Sequence, residues 1–241
     1  MCAISPLSPA AFALFFTDGA KQVSPWHDLP LVAGVDSSSG AGYSTMTFVV
    51  EIPMGSTAKM EVMKEHWYNP IMQDSNKDGS TRYYTYGVPF FNYGLLPQTW
   101  EDPALKTADG YGGDNDPLDV MEIGSSILPM GTVCEVKVLG SLELIDEGET
   151  DHKVIALRVD DPDAARIHDM ASLELVKPGI TAKLIDWLKM YKTSDGKGVN
   201  SLASETPTTV AQAHAVIQEC HERWQALKAG SVGNPGFFLG V

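Results

Sequence analysis

Cysteine is scarce in this chain, with three among 241 residues, Cys2, Cys134 and Cys220. Thiols so few and so far apart exclude a disulfide framework and a thiolate zinc site, and they fit a reducing compartment such as the cytosol. Basic charge is also short. Seventeen Lys and Arg stand against 31 Asp and Glu, a formal net charge of -14, which sets the chain against nucleic-acid phosphates and anionic membranes as partners. No apolar run approaches the roughly 20 residues that span a bilayer. The N-terminal run, residues 11–16 (AFALFF), has no basic stretch before it and follows Pro6 and Pro9, so it reads as a first core strand rather than a leader. The six histidines, His27, His66, His152, His168, His214 and His221, are scattered without H-E-x-x-H spacing, which removes support for zinc-hydrolase chemistry. A glycine-rich phosphate loop is missing too.

What is present is β first and helix last. At 44% hydrophobic and 20% charged, the chain can bury a substantial core as one large β-rich domain or two small ones. Residues 45–53 (TMTFVVEIP), 131–139 and 153–159 (KVIALRV) are rich in β-branched residues and bounded by Gly, Pro or Asp, and they predict strands. Further on the period changes. Ile180, Leu184, Trp187, Leu188 and Tyr191 draw one stripe down a helix over 180–191. Thr206-Pro207 predicts a helix start, with Val210, Ala213, Ile217, Cys220, Trp224 and Leu227 continuing to a stop at Gly230. Asp161-Pro162 predicts a short helix through about residue 171. Residues 36–42 (DSSSGAG) read as a surface loop, and 230–241 (GSVGNPGFFLGV) as a glycine-rich tail whose Phe237 and Phe238 could dock on the core or a partner but are expected to fray. Linkers and internal repeats are not evident.

Three acidic constellations carry the chemistry. Asp74, Asn76, Asp78 and Gly79 open like a calcium loop, but the twelfth position is Thr85 where a bidentate glutamate is needed. A hairpin turn at Lys77-Asp78-Gly79 is the better reading. In Asp114-Asn115-Asp116-Pro117-Leu118-Asp119, extended backbone points Asp114 and Asp116 the same way, and Pro117 stiffens the return of Asp119. Asp146-Glu147-Gly148-Glu149-Thr150-Asp151 is a tight acidic turn. Crowded carboxylates repel one another unless cations neutralise them, so five aspartates, Asp114, Asp116, Asp119, Asp146 and Asp151, look like a cage for divalent metal. Spacing alone leaves solvated acidic loops equally open.

Around those loops five segments occur in one order: EIPMGSTAKMEV at 51–62, NYGLLPQTWEDP at 92–103, GDNDPLDVMEIG at 113–124, LIDEGETDHKVIAL at 144–157 and MYKTSDGK at 190–197. Together they closely resemble the soluble family I inorganic pyrophosphatases, from about residue 26 to about residue 224, with an eukaryotic cast in WEDP and the extended N-terminus. The resemblance implies a mainly β fold, a five-stranded OB-type β-barrel with flanking α-helices, forming one domain over 1–241 with an N-terminal extension or first strand over 1–20 and a flexible tail over 230–241. It implies a Mg²⁺-dependent hydrolase with several ions, Mn²⁺ or other divalent metals being alternatives, that splits pyrophosphate by direct in-line attack of water without a phosphoenzyme. It implies a homodimer, while the cysteine usage points to the cytoplasm and leaves an organelle open. Asp114, Asp119, Asp146, Asp151 and Glu61 match metal ligands of that family, and Asp116 matches its general base. Lys59, Arg82, Tyr93, Tyr191 and Lys192 match the groups that grip phosphate, with Tyr93, Arg82 and Lys192 also assisting catalysis, while Glu51 and Lys153 line the cavity. Arg82 rests on the shortest match, Ser80-Thr81-Arg82-Tyr83, before a compressed loop. Residue chemistry agrees: a polyanion enters a carboxylate pocket only where metals invert the field and Lys and Arg add fixed positive charge. The rival readings are a non-catalytic acidic scaffold and a hydrolase of another phosphoanhydride, such as a nucleotide or polyphosphate.

Overall fold

The computed structural model describes residues 12–36 and 42–240. Five strands organise it: β1 (Ser44–Ile52), β2 (Asn92–Leu95), β3 (Asp119–Glu122), β4 (Val133–Asp146) and β5 (Glu149–Arg158). β4 and β5 form an antiparallel hairpin, β5 runs parallel to β3, and β3 pairs β2, β2 pairs β1 and β1 pairs β4, all antiparallel. The pairings close on themselves, giving the five-stranded OB-type ring implied by the resemblance. Closure removes two sheet edges and makes the strands curve.

Alternate residues on each strand feed two apolar clusters. Val154 and Ala156 belong to one and Ile155 and Leu157 to the other, as Val120 and Met121 do on β3. Both faces are covered, which is why KVIALRV reads as a nearly continuous apolar run instead of a clean alternation. Two register shifts bend the wall, at Val138/Gly140 in β4 and at Val50/Ile52 in β1. The second leaves Glu51 as the extra residue and turns its side chain toward Val62, whose backbone N–H it accepts at 2.6 Å. Opposite lies Gly94, where a Cβ would sit 1.9 Å from the Val49 carbonyl oxygen, so only glycine lets the two backbones approach.

Helices cover the ring. α1 (Met170–Val176), α2 (Ile180–Met190) and α3 (Val210–Lys228) follow the strands, and Leu184, Trp187 and Leu188 of α2 are buried as the stripe predicted. The start expected at Thr206-Pro207 is corrected. α3 is capped by Thr209, reciprocally bonded with Gln212, because the backbone of Thr208 is held by Ser141 at the bulge of β4 and cannot join the helix. The helix expected from Asp161 to about residue 171 is corrected as well. The Asp161 carboxylate accepts from Ser125 N, Ser125 Oγ and Asp163 N, which holds that segment in turns until Asp169 caps α1.

Two expectations for the chain ends also change. The run at 11–16 is not a core strand in its described part: Ala13–Leu14 pairs with Ile71–Gln73, while Phe12 and Phe15 are exposed. The tail does not fray but docks. Phe237 is buried edge-on against Trp26 and Trp100, Phe238 stacks on Trp67, and Phe238 N donates to the Lys64 carbonyl at 2.8 Å. Most of the loop expected at 36–42 lies outside the described residues. The turn at Lys77-Asp78-Gly79 is present, with Asn76 N bonded to Ser80 O and Gly79 at φ 83°. Among the described residues no helix is long and apolar enough to cross a membrane.

Candidate active site

The thirteen site residues named from the sequence come together. Glu51, Lys59, Glu61, Arg82, Tyr93, Asp114, Asp116, Asp119, Asp146, Asp151, Lys153, Tyr191 and Lys192 all line one cavity of about 260 Å³. Each strand places its group by register. Asp119 opens β3 opposite Lys153 of the parallel β5, and Asp151 shares a face with Lys153 two residues away. Lys153 Nζ meets Asp119, lies 2.5 Å from Asp151 Oδ1 and donates to the Tyr93 hydroxyl at 2.9 Å. Tyr93 donates to Asp119 Oδ2 at 2.5 Å. Asp146 ends β4 just before a turn that Glu147 and Gly148 make at positive φ, and Lys192 beyond α2 pairs with it.

The DNDPLD segment gathers its carboxylates, but the extended backbone expected between Asp114 and Asp116 is corrected to a turn. Asp114 Oδ1 accepts from Asp116 N at 3.0 Å, and Asn115 sits at φ 72° with its side chain held by Trp100 Nε1 at 3.0 Å. That kink lets Asp114, Asp116 and Asp119 face one space.

Charge in the cavity is unbalanced. Nine carboxylates face five Lys and Arg side chains. Burial, then Glu101, Asp151 and Asp116, push the Asp114 carboxyl well above its ordinary range. Burial pushes Asp151 up to about 6, with Asp119 adding to the shift and Lys153 opposing it. Glu51 is raised by burial and by Asp119, and Glu61 by burial despite Lys59. Burial works against the Lys153 ammonium, but Asp119 and Asp151 outweigh it and keep it charged. The phenols of Tyr93 and Tyr191 are raised by burial and stay protonated as donors.

These donors suit a hard divalent cation. Glu101, Asp114 and Asp151 each offer an oxygen within 4.8 Å of the others. Asp146 Oδ1 and Glu101 Oε2 are buried with no hydrogen-bond partner among the described residues. All the donors are carboxylate oxygens, the ligands Mg²⁺ takes.

Three participants escaped the sequence reading. Glu101, in WEDP, is buried beside Asp114 and Asp151 and accepts from His152 N at 3.0 Å and sits 2.8 Å from His152 Nδ1. Lys64 contacts Asp116 and donates to the Asn115 carbonyl at 2.9 Å. Asp74, read only as part of a failed calcium loop, holds Lys59 at 3.3 Å and Arg82 at 2.9 Å. Nothing in local spacing marks them, since each matters through a partner distant in sequence.

Comparison with known proteins adds a second line. Residues 48–225 match the family described as inorganic pyrophosphatase. The chain is 42% identical over 231 residues to soluble inorganic pyrophosphatase 6, chloroplastic, of Arabidopsis thaliana, covering 94% of this chain and 74% of that protein. It is 42% identical over 222 residues to an inorganic pyrophosphatase of Homo sapiens, covering 90% and 74%. Among solved structures, an inorganic pyrophosphatase from Schistosoma japonicum superposes with a TM-score of 0.88 at 40% identity, covering 94% of this chain and 80% of that one. A truncated vacuolar soluble pyrophosphatase of Trypanosoma cruzi, solved in complex with PPi, superposes with a TM-score of 0.83 at 31% identity, covering 95% and 97%.

Proposed function

The chain belongs to the inorganic pyrophosphatase family, and on that premise we propose how its residues divide the work of hydrolysing pyrophosphate to two orthophosphates. Asp114, Asp119, Asp146 and Asp151, with Glu61 at the outer rim, hold divalent cations, Mg²⁺ first and Mn²⁺ as a substitute. Bound cations supply Lewis acidity toward water and phosphate oxygens and cancel the field of the carboxylates. Asp116 takes the proton of the attacking water; its side chain is 45% exposed, open enough to meet that water. Lys59 and Arg82 grip the phosphate on one side, Tyr191 and Lys192 on the other, and Tyr93 donates beside Lys153. Charge growing on the leaving phosphate meets Arg82, Lys192 and the Tyr191 hydroxyl, because phosphoryl transfer needs chiefly positioning and electrostatic stabilisation. Glu51 fixes the neighbouring strand through Val62 N. No side chain forms a covalent phosphoenzyme in this scheme.

The observation that carries this reading is the acid excess, nine carboxylates against five bases in one 260 Å³ cavity. Phosphate release from pyrophosphate, ATP and tripolyphosphate with Mg²⁺ tests it, in wild type and Asp116→Asn. The expected result is turnover of pyrophosphate above the other two, and a loss of about a hundredfold or more in the variant, whose amide accepts no proton. Full activity of Asp116→Asn would remove the base assignment. A homodimer and cytosolic residence complete the proposal. Light scattering tests the first, and imaging of the tagged full chain separates the cytosol from a plastid like that of the Arabidopsis relative.

A further inference from the structure

Tyr84 is a cavity residue that the scheme above leaves without work. Its placement follows from strand register. Ala58 bridges Tyr83 antiparallel, Lys59 N donates to Arg82 O at 3.1 Å, and Tyr84 N donates to Thr57 O at 2.7 Å. With a period of two, Arg82 and Tyr84 share one face and Tyr83 takes the other. Arg82 and Tyr84 both line the cavity, whereas Tyr83 is exposed.

The ring is held from behind. It meets Trp187 edge-on at 5.2 Å and Tyr191 at 6.0 Å, while Trp187 and Tyr191 stack on each other at 4.9 Å. Only 8% of Tyr84 is exposed, yet its hydroxyl makes no hydrogen bond to another described residue. The hydroxyl opens onto the cavity instead of being sealed in the core, so its donor faces the space in which a phosphate would lie. Tyr93 shows the satisfied case, giving its proton to Asp119 and receiving one from Lys153. Tyr84 is therefore a donor on a ring held in place by packing, facing the cavity next to Lys59 and Arg82. Burial, chiefly, raises its pKa to about 12, so the proton stays available for donation.

We infer that Tyr84 donates a hydrogen bond to a phosphate oxygen of bound pyrophosphate, as a substrate-positioning partner of Lys59 and Arg82. The inference rests on the pyrophosphatase reading and adds a third phenol to Tyr93 and Tyr191. Because the bond forms with the phosphate already held, it acts on substrate and transition state alike and shows in affinity more than in kcat.

The test compares wild type, Tyr84→Phe and Tyr86→Phe. Phenylalanine keeps the ring packing and removes one O–H, and Tyr86, a half-buried phenol outside the cavity lining whose hydroxyl donates to Asp186 at 3.2 Å at the surface, serves as the control. Binding of methylene-bisphosphonate with Mg²⁺ is measured by calorimetry, alongside KM, kcat and Tm. Tyr84→Phe is expected to bind the bisphosphonate about tenfold more weakly and to raise KM about tenfold, with kcat and Tm close to wild type and Tyr86→Phe unchanged. Affinity and KM within twofold of wild type in Tyr84→Phe would overturn the inference. If wild type neither turns over pyrophosphate nor binds the bisphosphonate, the pyrophosphatase reading fails instead, and the two failures are distinguishable.

Discussion

The cavity and the seat of the C-terminal tail both bury ionisable side chains, and they treat them in opposite ways. Under the tail the buried histidine is matched on both ring nitrogens by neutral partners. Trp224 Nε1 donates to His27 Nδ1 at 2.8 Å, so His27 carries its proton on Nε2 and gives it to the Phe238 carbonyl at 3.0 Å. Burial, first, lowers His27 to about 3, and it stays neutral. In the cavity the carboxylates outnumber their bases, and Asp146 Oδ1 there and Glu101 Oε2 beside Asp114 and Asp151 remain unmatched. Saturated burial is architecture, whereas burial left short of positive charge is a place held for a ligand.

The contrast breaks most visibly at Asp114. Asp114→Asn removes a charge that burial and four carboxylates oppose, so without divalent metal the variant should unfold at a higher temperature than wild type. Its pyrophosphate turnover should fall by about a hundred- to a thousandfold. Calorimetry and a phosphate-release assay on the same preparation check both halves. The tail answers differently. Phe237→Ala empties a well-packed site between Trp26 and Trp100 and should cost about 3 kcal/mol of stability in denaturant melts.

Acid sharpens the comparison further. Unfolded His27 takes up a proton near its ordinary 6.5 that the folded residue refuses down to about 3. Its contribution to stability is complete above pH 6.5 and is lost as pH falls toward 3. Asp151 has the opposite sign: raised from 3.8 to about 6, it binds a proton more readily folded, so in metal-free protein its contribution declines as pH rises through that interval. Chemical melts from pH 4 to 7 should therefore show a weaker acid loss in His27→Gln than in wild type. The smallest effect is at the rim, where Lys197 meets Glu147 at 2.7 Å in solvent; Lys197→Ala should move stability by less than about 0.5 kcal/mol.

Much of this was legible in the residue order. The strands at 45–53 and 153–159 and the stripe of α2 follow from side-chain pattern, whereas the aspartates are identified through the resemblance of the segments around DNDPLD and DEGETD, because their spacing alone fits a solvated acidic loop as well. Helix starts failed where a remote contact decided them, as Ser141 does for Thr208. Glu101, Lys64 and Asp74 stayed hidden for the same reason. Glu101 looks like any surface acid until β5 brings Asp151 and His152 to it. The tail misled because Gly, Asn and Pro signal looseness, while Trp26, Trp67 and Trp100, far away in the chain, supply the sockets for Phe237 and Phe238.

One pairing has a temporal consequence. Asp119 and Lys153 meet only through the parallel alignment of β3 with β5, and a parallel pair cannot be closed by a turn. The chain must therefore cross over through the β4–β5 hairpin before the ammonium reaches Asp119. Contacts of such long sequence separation form late and slowly. A chain that has not yet made β5 thus offers divalent cations no complete seat, and capture of the ion becomes a readout that β5 has aligned with β3.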